Sequence, residues 1–223
     1  MTLLKKEIYQ EIKRQIISCQ LKPGTFIRET DFEKELRASR TPLREAFAKL
    51  EEEGLLQVIP KKGVQVKPLS LMSIAHAYEA RLLLEPFILN NYWDSINAAA
   101  MTKIRIALIN LIKKRPQKFS KHYICSFFEL DNKFHRLISE SCANEYLSST
   151  LQHVDDEVER VRMQLSYNSR YLESAQEHIV VIKAIEGNDK KAAVAALVTH
   201  IKNSQGVALN SISHQNIDYV TFQ

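Results

Sequence analysis

Apolar positions recur at helical spacing from the start of the chain. Leu4, Ile8, Ile12 and Ile16 fall on one face of LKKEIYQEIKRQIIS (4–18), which predicts an amphipathic helix. Pro23-Gly24 predicts a turn, Glu29 to Leu36 a short second helix, and Thr41 the start of a third. Thr41 suits an N-cap, Pro42 the first helical position and Gly54 the left-handed residue past the end. In that third helix Leu43, Ala46, Phe47 and Leu50 share the inward arc, while Thr41, Arg44, Glu45 and Ala48 face away. After Gly54 the period changes. LLQVIP and VQVKP are two short β-type runs joined by Lys61-Lys62-Gly63, a hairpin with a basic tip. Three helices and a β-hairpin wing outline a winged helix-turn-helix over residues 1–68.

VKPLS (66–70) closes this unit, and residues 69–71 read as a linker. From Leu71 onward no strand pattern is visible. Helical spacing predicts segments near 71–94 (bent at Pro86), 96–114, 120–142, 144–166, 170–186 and 188–206. The fold class is therefore mainly α, with an all-α bundle of six or seven helices over 72–206. The tail, 207–223, lacks clear periodicity and is expected to be loosely ordered.

Charge sharpens this division. The 223 residues carry a formal net charge of +5. Residues 1–68 hold 14 basic against 10 acidic side chains, leaving only +1 for the rest, so a polyanion is expected to bind the first third. The three cysteines, Cys19, Cys125 and Cys142, fit neither a disulfide framework nor a C-x-x-C metal site. No apolar run approaches membrane-spanning length, and MTLLKKEIYQ lacks the apolar core of a signal peptide, so a cytoplasmic location is expected.

Two constellations carry chemistry. Arg40 and Arg44 stand at the start of a helix, where the partial positive charge is unfavourable to cations unless an anion arrives. Double-stranded DNA is the anion expected there: arginine at such a helix start can grip guanine edges or clamp a phosphate. The alternative is a solvated face, with Arg44 paired to a glutamate such as Glu51. The second constellation is Asp131 and His135 at i, i+4, with His178 and His200 further on, all on otherwise apolar faces. A buried carboxylate and three buried imidazoles are costly unless satisfied, and one divalent metal would satisfy them together. The alternative is that each histidine is a separate hydrogen-bonded core residue. Lys113-Lys114-Arg115 and Asp155-Asp156-Glu157 read as solvated helix surface.

The stretch ASRTPLREAFAKLEEEGLLQVIPKKGVQV resembles the DNA-binding domain of GntR-superfamily transcription regulators. The resemblance implies that Arg40 and Arg44 contact operator DNA and that Gly63 lies at the wing tip near the minor groove. Thr41, Lys61 and Lys62 complete the candidate DNA-binding set. Arg37-Ala38 stand where the family usually has glycine, and Thr30 stands where some members place a further DNA-contacting arginine. EARLLLEP, D-x-x-x-H, EH-x-x-I-x-x-AI-x-G-x-D/N and a late helix ending in histidine resemble the helical FCD domain of the FadR subfamily. That resemblance implies Asp131, His135, His178 and His200 as ligands of zinc or nickel, with open coordination positions for water or an effector carboxylate. Arg81 and Arg162 are the candidate cations for an acidic effector, although Arg81 could equally pair with Glu85. The implied function is a homodimeric regulator, a repressor by family habit, responding to a small organic acid. The competing classes are a metal-dependent enzyme and an effector-independent nucleic-acid-binding protein.

Overall fold

The computed structural model describes residues 2–114, 116, 120–164, 170–214 and 220–221. Helix α1 (Thr2–Ile17), α2 (Glu29–Glu35) and α3 (Arg40–Glu52) build the head with strands β1 (Phe26–Ile27), β2 (Leu56–Ile59) and β3 (Gly63–Val66). The predicted inward residues do pack inward: Ile8, Ile12, Ile16, Leu43, Ala46, Phe47 and Leu50 are all buried. Phe32 of α2 meets Phe47 of α3 edge to face, with ring centroids 5.6 Å apart, a geometry that aligns ring edge with ring face. The hairpin has the expected antiparallel register, Leu56 opposite Val66.

Three local expectations need correction. Helix α3 begins at Arg40, with Ser39 in the extended N-cap position, so Thr41 is not the cap and Pro42 is the third helical residue. The first four helical N–H groups have no partner within the helix, so proline costs no hydrogen bond there. The wing is a three-stranded sheet in the order β1-β3-β2, because Phe26-Ile27 pairs with Gln65-Val64. Two residues carry too little periodicity to announce such a strand. Gly54 behaves as expected, at φ +72° past the end of α3.

Arg37 occupies the left-handed region, at φ +49°, and is exposed between α2 and α3. A non-glycine residue there costs about 1–2 kcal/mol. Arg37→Gly relieves that clash while freeing the unfolded chain, so we expect a net gain of roughly 0.5–1 kcal/mol. Calorimetry should show a melting temperature higher by a few degrees, and a lower one would contradict the backbone argument.

The second unit contains α4 (Leu71–Asn91), a 3-10 turn (Trp93–Ser95), α5 (Ala98–Lys113), α6 (Lys121–Glu140), α7 (Glu145–Gln164), α8 (Tyr171–Glu186) and α9 (Lys190–His214). Ser70 and Ser73 form a reciprocal capping box that starts α4, which runs through Pro86. Helix α4 packs against α7 and α9, and α8 lies along α9. Its core is separate from that of the head. Helix α9 continues past Gly206 to His214, where the sequence pattern had placed the start of a loose tail. Buried Ala208 extends the inward face of Leu197 and Ile201, which carries the helix on. Strand β4 (Leu69–Ser70) in the linker pairs in parallel with β5 (Val220–Thr221); the rest of the tail beyond His214, like Arg115, lies outside the described residues.

Candidate metal centre and DNA-reading head

Arg40 and Arg44 project from the first turn and a half of α3, with side chains 68% and 67% exposed. Their partners are carboxylates of α2, not Glu51. Arg40 Nε donates to Glu33 Oε1 at 2.8 Å, and Arg44 Nε to both oxygens of Glu29 at 3.1 Å. Glu51 instead accepts from the backbone N–H of Val58, tying α3 to the wing. Thr41, Lys61, Lys62 and Gly63 are exposed. Lys61 and Gly63 both take positive φ, +64° and +107°, giving the wing its tight basic tip.

The other constellation converges. Asp131 and His135 come from α6, His178 from α8 and His200 from α9, and one donor atom of each lies within 4.8 Å of all the others. His178 Nε2 is 3.2 Å from His135 Nε2 and 3.0 Å from His200 Nε2. Asp131 Oδ1 lies 3.6 Å from His178 Nε2. All four residues are buried. Burial, reinforced by neighbouring imidazoles and arginines, holds the histidines well below their ordinary pKa, so they are neutral.

Two glutamates fix which nitrogen carries the proton. Glu85 of α4 accepts from His135 Nδ1, and Glu177 of α8 accepts from His200 Nδ1 at 2.8 Å. The Nε2 atoms of both rings are thereby lone pairs aimed at His178 Nε2, which can donate to only one of them. His178 Nδ1, moreover, is buried without a hydrogen-bond partner. Lone pairs gathered this closely repel unless a cation sits among them. The three-nitrogen, one-carboxylate set fits a divalent transition ion, and the carboxylate–histidine contacts are those that orient metal ligands. Sequence periodicity could not have found Glu85 and Glu177, because each acts on a histidine of a different helix.

Of the two candidate effector cations, the structure brings only Arg162 to the site. Arg162 pairs with Asp131 and donates to Asn132 Oδ1 at 2.9 Å. Burial and repulsion from Arg81 push its pKa down to about 9. Arg81 does not reach the cavity. It is fully buried between Glu85, at 3.0 Å, and Asp155, at 3.4 Å, because its position on α4 faces α7. Beside Asp131, Arg162 and His178 opens a cavity lined by residues of helices α4 to α9.

The junction between head and bundle is polar. Lys13 Nζ sits 2.9 Å from Glu53 and 2.7 Å from Asp156, while Tyr9 donates to Glu53 at 2.5 Å. Burial alone would lower the pKa of Lys13, but Asp156 raises it. Asp155-Asp156-Glu157 is thus not solvated surface: Asp156 is buried against Lys13, Asp155 meets Arg81 and Glu157 meets Arg160. Glu53 is the C-cap of α3, so this contact reaches the end of that helix. Lys113 and Lys114 are exposed, as expected.

Comparison with known proteins agrees with both halves. Residues 4–66 match the family described as bacterial regulatory proteins, gntR family, and residues 76–203 match the FCD domain. The HTH-type transcriptional repressor RspR of Escherichia coli K12 is 26% identical over 215 residues, covering 96% of this chain and 92% of its own length. The solved structure of E. coli McbR/YncC superposes with a TM-score of 0.79 at 16% identity, covering 94% of this chain and 98% of its own, which shows the fold. The Zn2+-bound FCD domain of TM0439 superposes with a TM-score of 0.54 at 25% identity, covering 66% of this chain and 98% of its own. Among the described residues no helix is long and apolar enough to cross a membrane. The matched family and RspR are transcription regulators, not enzymes. With a winged helix-turn-helix head joined to an FCD bundle, the chain belongs to the GntR family of DNA-binding bacterial transcription regulators.

Proposed function

We propose that this regulator is a metal-dependent sensor of a small organic acid, and that it works as a homodimeric repressor in the cytoplasm. The observation that carries the reading is the placement of four converging donors beside a cavity that also holds an arginine. Asp131, His135, His178 and His200 would hold the ion, zinc or nickel by donor type. A bound ion would supply open coordination positions and a local positive charge for an acid's carboxylate. Arg162 orients that carboxylate from the side, while Glu85 and Glu177 hold two histidines in the ligating tautomer. The repressor name of the E. coli relative and the zinc in the solved FCD domain support this reading.

At the other end, Arg40, Thr41 and Arg44 enter the major groove, and Lys61, Lys62 and Gly63 meet the neighbouring backbone. Two heads in a dimer read a two-fold related operator. The acid shifts DNA affinity only to the extent that it binds the DNA-competent and incompetent arrangements differently. The buried contacts His135–Glu85–Arg81–Asp155, and then Asp156–Lys13–Glu53, join the metal ligands to the end of α3.

The test is fluorescence anisotropy on an operator recovered by selection from genomic fragments. With metal-loaded protein, an acid that binds should weaken DNA affinity by at least about fivefold, the low end of ordinary coupling. After chelation the same acid should have no effect. Lys13→Met should retain acid binding yet lose the DNA response. If DNA affinity ignores the metal and every acid that binds, the sensor reading fails while the DNA-binding one stands.

A further inference from the structure

The wall of the cavity restricts what acid can enter. Leu108, Phe127, Phe128, Val161, Val207 and Ala208 form most of it, and the surface they leave open is overwhelmingly apolar. Several nearby polar groups are already engaged. Ser174 donates to Asp131 at 3.3 Å, and Arg170 pairs with Glu177 and donates to Ser204 at 3.2 Å. Also lining it are Asp131 and His178 of the converging cluster, and Arg162, whose buried Nε is unpartnered. With an ion bound the site would therefore be polarised, with a cationic end for one carboxylate and an apolar chamber for whatever follows it.

We infer that the effector is a monocarboxylate with a short apolar body, and not a polyhydroxylated sugar acid or a tricarboxylate. This rests on the carboxylate-sensing reading above and narrows it. Each hydroxyl of a sugar acid pressed against the apolar part of this wall would lose its water without gaining a partner, weakening binding by about fivefold or more apiece. A methylene in the same place strengthens it by about fourfold. Size points the same way. The cavity volume is about 60 Å³, room for roughly four to six water-sized groups. A carboxylate with a few carbons fits, and a long acyl chain does not.

The experiment is isothermal titration of the zinc-loaded full chain with butyrate, hexanoate, benzoate, gluconate, citrate and palmitate, repeated after chelation. Butyrate, which fills that room, should bind at least about tenfold tighter than gluconate or citrate, since two or more methylenes are at stake. Val207→Ser, a half-buried wall position, should weaken butyrate about fivefold while zinc content and gluconate affinity stay unchanged. Gluconate or citrate binding as tightly as butyrate, or palmitate binding tightest, would overturn the inference and leave the carboxylate reading intact. Apolar acids that bind equally well after chelation would sink the metal-dependent reading and keep the inference about the chamber. No binding by any of the six overturns both.

Discussion

Replacing Arg40 and Arg44 together by alanine is expected to weaken operator binding by about a thousandfold, since each well-placed arginine is worth about 1–3 kcal/mol. Both guanidinium groups are mostly exposed at the start of α3, beside the N-terminal amides that attract anions. Their ion pairs with Glu33 and Glu29 are of the exposed kind, worth about 0–1 kcal/mol, so DNA displaces the carboxylates at little cost. For the same reason the double variant should melt within a degree or two of the parent. Gel-shift or anisotropy titration at two salt concentrations separates the roles. An arginine on a phosphate lowers the salt slope by about one, whereas one on a guanine edge changes sequence preference. Unchanged affinity for the selected operator would remove α3 from the DNA interface.

Stripping divalent metal with a chelator is expected to lower the melting temperature by about 10 °C. An ion present at a thousand times its dissociation constant stabilises by about 4 kcal/mol, and each kcal/mol is worth about 2–4 °C in a chain of this size. Without the ion, the neutral imidazoles of His135, His178 and His200 face one another in a buried space. Arg162 on Asp131 compensates the carboxylate but not the nitrogen lone pairs. His135→Ala should abolish the zinc- or nickel-induced rise, and elemental analysis should show the ion gone. Glu177→Gln, which weakens the carboxylate that His200 Nδ1 shares with Arg170 and Asn203, should weaken metal binding by about 10- to 100-fold. A parent protein whose melting temperature ignores zinc and nickel, or a His135→Ala variant that keeps a full complement of ion, would discard the site.

Much of both regions was legible residue by residue. The inward arc of α3 follows from period 3.6, and the wing from the switch to period 2 around a basic turn. Asp131 and His135 are neighbours through i, i+4 spacing, which any helix enforces. His178 and His200 could be placed on inward faces, but not at a distance from Asp131. The misreadings have a common cause. Asp155-Asp156-Glu157 looks like solvent-facing charge because Arg81 and Lys13, the partners of Asp155 and Asp156, lie on other elements, α4 and α1. Arg81 carries the right charge for an effector, yet the carboxylates of Glu85 and Asp155 take it first.

The sequence by itself determined the two-unit plan, the third helix with its outward arginines and the inward set of one aspartate and three histidines. Those features depend on spacing along one helix, where geometry is set by the backbone. Only the tertiary structure decided which groups meet: Glu85 and Glu177 behind the histidines, Arg162 on Asp131, and Lys13 between Glu53 and Asp156. Such pairings depend on how separate helices pack, which no local period encodes. The same packing walled the cavity with apolar side chains, and so the chemistry the pocket accepts was settled between helices rather than within any of them.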